Sequence, residues 1–152
     1  MIPTRTFVLW LAAVVFALAG CGGGSTTMTK AEYQSQLAKS GQAVTLAGQQ
    51  LGKSVTVSDF DGAVAGLQTA LRDSEKKLAG LEPPANARAA NNDLALAFGD
   101  LADALESVKA ADTLAKARQT LGRVGESAAI KNGQTAIGEL SRLGYAVDSA
   151  GP

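Results

Sequence analysis

From Phe60 to Leu81 the positions Phe60, Val64, Leu67, Leu71, Ser74, Leu78 and Leu81 recur at alternating steps of four and three. At 3.6 residues per turn this spacing lays all seven on one stripe of a helix, which a strand of period two would scatter over both faces. An apolar stripe of that length has to be covered by other helices, so the rest of the chain is constrained to supply them.

It does. Thr29 with Glu32 three residues later forms a capping-box pattern, and Tyr33, Leu37, Ser40, Val44, Ala47 and Leu51 follow at helical spacing. The second helix is expected to start at Ser58 or Asp59, either of which caps well. Lys53 to Val57 alternates polar and β-branched residues but has no partner of similar pattern, and reads as a connection. Pro83 and Pro84 force a corner. A third helix of about 25 residues is expected from Ala85, with Ala87, Ala90, Leu94, Phe98, Leu101, Leu105 and Val108 on its stripe. The phase slips near Ala111, where Asp112 or Thr113 caps a shorter piece carrying Leu114, Ala117, Leu121 and Val124. A last helix bears Ile130, Gly133, Ile137, Leu140 and Leu143, with Gly144 as its left-handed terminator. The expected fold is all-α: an up-and-down antiparallel bundle of four helices, the last broken into two pieces, over residues 29–148, with a tail at 149–152.

Composition removes whole classes of function. His is absent and Cys occurs once among 152 residues, so histidine-based zinc or haem ligation, Ser-His-Asp and Cys-His catalysis and an intrachain disulfide are excluded. Lys+Arg and Asp+Glu stand at 14 each, which gives no electrostatic footprint for nucleic acid. The expectation is a non-enzymatic protein with no cofactor and no metal.

The first 20 residues have a different logic. Arg5 precedes a charge-free run from Phe7 to Leu18, the layout of an export signal. The run is too short to span a bilayer, which takes about 20 apolar residues. It closes on Leu18-Ala19-Gly20-Cys21, which resembles the lipobox of bacterial lipoproteins. The resemblance implies cleavage between Gly20 and Cys21 and acylation of Cys21, with residues 1–20 removed. Each buried acyl methylene contributes about 0.8 kcal/mol, so two or three long chains anchor a protein stably where one myristoyl chain does not. Residues 21–28 would then be the lipidated cysteine and a Gly/Ser/Thr linker, with a reach of roughly 13 Å over six residues. Loss of Arg5 leaves 13 basic and 14 acidic groups, a formal charge of −1. Residue 22 is Gly, which permits outer-membrane sorting if the host is Gram-negative.

Candidate sites in the body each have a plain structural counterpart. Asp59, Asp61 and Gly62 form a fragment of a calcium-loop pattern, but Ala63, Val64 and Ala65 follow where further oxygen ligands would be needed. The two acids therefore read as complements to a helix N-terminus. Asp93, Asp100, Asp103 and Glu106 make one side of the third helix acidic, and pairing of Lys109 and of Lys116 with Asp112 reads as a solvated face. Lys116, Arg118, Arg123 and Lys131 form a basic stretch, read first as charge complementarity to that acidic side, otherwise as a partner-docking surface or a patch that touches anionic headgroups. Gly48 with Gly52, and Gly62 with Gly66, are expected to mark close helix contacts or bends.

The stretch Leu78-Ala79-Gly80-Leu81-Glu82-Pro83-Pro84-Ala85 leading into Asn92-Asp93-Leu94, the terminal Leu143-Gly144-Tyr145 and the lipobox together resemble small Ala-rich helical lipoproteins of actinobacteria and similar high-GC bacteria. That family carries no known activity. The function expected is therefore a lipid-anchored helical domain on the extracytoplasmic side of a bacterial membrane, acting by contact with an envelope protein or as a structural element. The alternative is a module that holds a small apolar or lipid-like ligand between its helices and serves a membrane transporter; Ser40 and Ser74 are the polar interruptions such a slot would use.

Overall fold

The computed structural model describes residues 27–146. Among them lie five longer α-helices, α1 (Lys30–Lys53), α2 (Val57–Ala79), α3 (Arg88–Ala104), α5 (Leu114–Gly125) and α6 (Ala128–Arg142), with a single helical turn, α4 (Glu106–Lys109), and a 3-10 turn at Ala85–Ala87. No strand occurs among the described residues. Residues 1–26, with Gly20 and Cys21, and residues 147–152 lie outside them.

The start of α1 is the capping box expected: the Thr29 hydroxyl accepts the Glu32 amide at 3.3 Å and the Glu32 carboxylate accepts the Thr29 amide at 2.8 Å. α2 begins earlier than Ser58. Its N-cap is Thr56, whose hydroxyl accepts the Asp59 amide while Asp59 accepts the Thr56 amide, so the expected cap residue is the third helical residue of a box. The connection narrows to Ser54–Thr56, and the Ser54 carbonyl accepts Arg118 Nη2 at 3.0 Å.

The third helix is shorter than expected. Pro84 leads into a 3-10 turn, and the helix tightens again at Leu105, where the Val108 amide bonds the Leu105 carbonyl. In a 3-10 turn residues i and i+3 eclipse, so Leu105 and Val108 both point into the core and both are buried. Thr113 caps α5, as one of the two expected caps.

Two apolar clusters hold the helices. The first joins Tyr33 and Leu37 of α1, Leu78 at the end of α2, Ala87, Ala90, Leu94 and Ala95 around the start of α3, and Ala136, Leu140 and Tyr145 at the end of α6. The second joins Phe60, Val64, Leu67 and Leu71 of α2 to Ala102, Leu105 and Val108 and to Ala117 and Val124 of α5. Phe98 is packed against both. The principal stripe is buried from Phe60 to Leu78, Ser74 included.

The stripe of α6 is rotated from the one expected. Ile130, Gly133 and Ile137 are half-buried, whereas Ala129, Ala136 and Leu140 are buried. α6 packs against α3, and a methyl group added at Gly133 would meet the Ala97 methyl at 3.6 Å. Small residues bring these two helices together, and hydropathy alone underrates them. The helix ends as expected at Gly144, which adopts φ +79°. Its amide bonds the Ser141 carbonyl and that of Tyr145 bonds the Leu140 carbonyl, the paired bonds of a Schellman terminus.

Candidate functional site

The end of the domain where the helix termini of α1, α2, α3 and α6 meet carries a polar network that the sequence did not reveal. Tyr33 is wholly buried, and its hydroxyl donates to Asn91 Oδ1 at 3.1 Å. Asn91 Nδ2 donates in turn to the Leu78 carbonyl at 2.9 Å, capping the open end of α2 from α3. The Tyr145 ring meets that of Tyr33 edge-on, 5.3 Å between centroids, and its hydroxyl donates to Asn86 Oδ1 at 2.8 Å. Lys30 Nζ lies 5.2 Å from the centre of the Tyr145 ring. The Met28 amide bonds the Glu82 carbonyl at 2.8 Å. Both ends of the described chain are thus fastened to the Pro83-Pro84 corner. Burial, and second the neighbouring Tyr145, push the Tyr33 phenol well above its ordinary pKa.

A second polar cluster lies along the α2–α3 seam. Arg72 donates to Glu75 at 3.2 Å and to Asp103, and these partners, Glu75 first, hold its guanidinium above the usual range. Gln68 Nε2 donates to both the Ala102 carbonyl and the Glu106 carboxylate at 2.9 Å. That bond and Lys109 hold Glu106 below the ordinary carboxylate value. Gly99 is buried beside it, and the Glu75 carboxylate occupies the space a side chain would take.

Asp93, Asp100, Asp103 and Glu106 are all exposed. Lys109 pairs with Glu106, three residues before it, in place of the expected Asp112; Lys116 does pair with Asp112, at 2.9 Å. No ion pair among the described residues joins α5 to α3: the acidic side is answered by Arg72 of α2, and Arg118 is spent on the Ser54 carbonyl. The basic stretch is therefore not the counterpart of the acidic one. Asp59 sits in the capping box, but Asp61 lies beyond the first turn, half-buried, with Oδ1 lacking a hydrogen-bond partner among the described residues. A side chain added at Gly48, Gly52, Gly62 or Gly66 would meet open space, so neither pair marks a close helix contact.

Among the described residues there is no cluster of three or more potential metal ligands, and no helix is long and apolar enough to cross a membrane. The grooves are shallow and open; one runs along Gln68, Arg72 and Asp103, another between Asp93, Leu96 and Asp100 of α3 and Asn132 and Thr135 of α6. Comparison with models of known families, with curated proteins and with solved structures gives no match.

Proposed function

We propose that this chain is a bacterial lipoprotein: a non-catalytic helical domain, anchored through an acylated Cys21 on the extracytoplasmic side of a membrane, that works by contact with an envelope protein or as a structural element. The observation that carries it is the tetrad Leu18-Ala19-Gly20-Cys21 closing a charge-free run behind Arg5. The domain is read as an up-and-down antiparallel bundle of four helices, the last broken into α5 and α6. Support for that topology comes from the first cluster, which joins the start of α1, the end of α2, the start of α3 and the end of α6.

The contact reading is preferred to a ligand slot because the buried Asn91 amide is already engaged and large apolar side chains fill the interior. Asn91 is bonded to Tyr33 and Leu78; Tyr33, Leu78 and Leu140 fill the first cluster, and Phe60, Leu71 and Leu105 fill the second. The test is Cys21→Ser in the native host with fractionation of membranes and mass spectrometry of the N-terminal peptide. Release of the variant, and a diacylated or triacylated Cys21 in the parent, are expected. An unmodified thiol in the parent, or a variant that stays tightly membrane-bound, overturns the assignment.

A further inference from the structure

The chain enters and leaves the described domain at the same end, and that end is electrostatically distinct. Residues 27–33, 76–90 and 139–146, which make up this end, carry five basic and three acidic side chains. The opposite end, residues 50–63 and 100–128, carries five basic and seven acidic ones. Among the described residues the excess is therefore positive at the near end and negative at the far end.

Partnering sharpens the contrast. Of the three near-end acids, Glu32 is held in the Thr29 capping box and Glu139 is bonded to Arg142. Lys30, Lys76, Lys77 and Arg88 are exposed, and none of the four forms an ion pair among the described residues. Lys30 is also placed by its contact with the Tyr145 ring. The Met28–Glu82 bond fixes Met28, near the start of the described chain, beside the end of α2.

From these observations we propose that the near end docks on an anionic phospholipid surface, with Lys30, Lys76, Lys77 and Arg88 facing the headgroups. The inference rests on the lipid-anchor reading. Six residues separate Cys21 from Met28 and span at most about 20 Å when extended, roughly 13 Å on average as a Gly-rich chain. The Debye length at physiological ionic strength is about 8 Å, so the tether holds the near-end cations within one or two screening lengths of the headgroups. The far end, a domain's length away, is screened and carries the wrong sign. The tether brings the domain to the surface, and the charge distribution selects which end it presents.

The full chain, purified from membranes, is reconstituted into vesicles of phosphatidylcholine alone or of phosphatidylcholine with phosphatidylglycerol. It is then labelled with a membrane-impermeant amine reagent and read lysine by lysine by mass spectrometry. Lys116 and Lys131 serve as far-side references. Docking predicts that labelling of Lys30, Lys76 and Lys77 slows by roughly threefold or more relative to the references in anionic vesicles only, and recovers in high salt. A chain that floats with the vesicles but labels identically in both compositions, or protects the reference lysines equally, overturns the docking and leaves the anchor standing. A chain that fails to float, or whose Cys21 carries no acyl group, overturns the anchor and the docking with it.

Discussion

Tyr33 and Asn91 stand 58 residues apart in sequence and share a hydrogen bond of 3.1 Å in the interior, where each answers the other's polar group and Asn91 also closes the last turn of α2. The pair couples α1 to α3 and, through the Leu78 carbonyl, to α2. Removing one member leaves a buried polar atom unanswered, at about 1–3 kcal/mol. Tyr33→Phe strands only Asn91 Oδ1, whereas Asn91→Ala strands the phenol, leaves the Leu78 carbonyl with the Leu81 amide alone, and opens a void. Asn91→Ala is therefore expected to be the more destabilising in chemical denaturation. Equal losses for the two variants would show that the network is not coupled as the geometry indicates.

The same phenol makes stability depend on alkaline pH. Burial raises the Tyr33 pKa in the folded state above its unfolded value of about 10, so folding favours the neutral form. Its contribution is intact below pH 10. Above that the unfolded chain ionises first and stability falls until the folded phenol also titrates, at about 1.4 kcal/mol per pH unit for one proton. Denaturation midpoints taken from pH 8 to about pH 11 should fall more steeply for the parent than for Tyr33→Phe. Parallel curves would assign the alkaline loss to other groups.

Gly144 is the one described residue at positive φ, and it turns Tyr145 back onto Tyr33. Gly144→Ala forces an L side chain into the left-handed region, at about 1–2 kcal/mol, and sets the new methyl 3.1 Å from Lys30 Nζ. The variant should lower the melting temperature and speed hydrogen exchange of the Tyr145 amide, which bonds the Leu140 carbonyl. An unchanged Tyr145 exchange rate would show that the terminus is held by the ring contacts alone.

Thr56→Ala removes the hydroxyl that accepts the Asp59 amide and should cost about 1 kcal/mol. Ser58→Ala, at a position whose residue type suits a cap, should be near neutral, because Ser58 is exposed and lies inside the helix. Comparing the two by thermal denaturation discriminates the caps directly.

What was legible in the sequence was periodic and local. The stripe from Phe60 to Leu78, the Thr29 box, the proline corner, the Thr113 cap and the Gly144 terminator each depend on residues within one or two turns, and each is present. What was not legible depends on neighbours in space. Asn91 is a polar residue that nothing in its own helix marks for burial; the Leu78 carbonyl and Tyr33 make it a core residue. The buried face of α6 runs through alanines because α3 offers alanine in return. Asp59 shows the smallest failure of this kind: the third residue of a helix whose cap is Thr56. The proposed lipidation of Cys21 rests on the pattern of residues 5–21, which lie outside the described domain.

Gly99 sets the last prediction. Glycine within a helix costs about 1 kcal/mol relative to alanine, so exposed Gly62 and Gly66, which face open space, should each yield up to that gain as alanines. At Gly99 the new methyl would lie 2.8 Å from the Glu75 carboxylate, which must swing away and release Arg72. Because Glu75 is a long, partly exposed side chain it can move, and the lost contacts offset the helical gain, leaving Gly99→Ala within about 0.5 kcal/mol of the parent. In a Glu75→Ala background the obstacle is absent, and Gly99→Ala should recover the full stabilisation seen at Gly62. The coupling is measured by a double-mutant cycle in chemical denaturation. Additive effects would mean that the glycine is not there to admit the carboxylate.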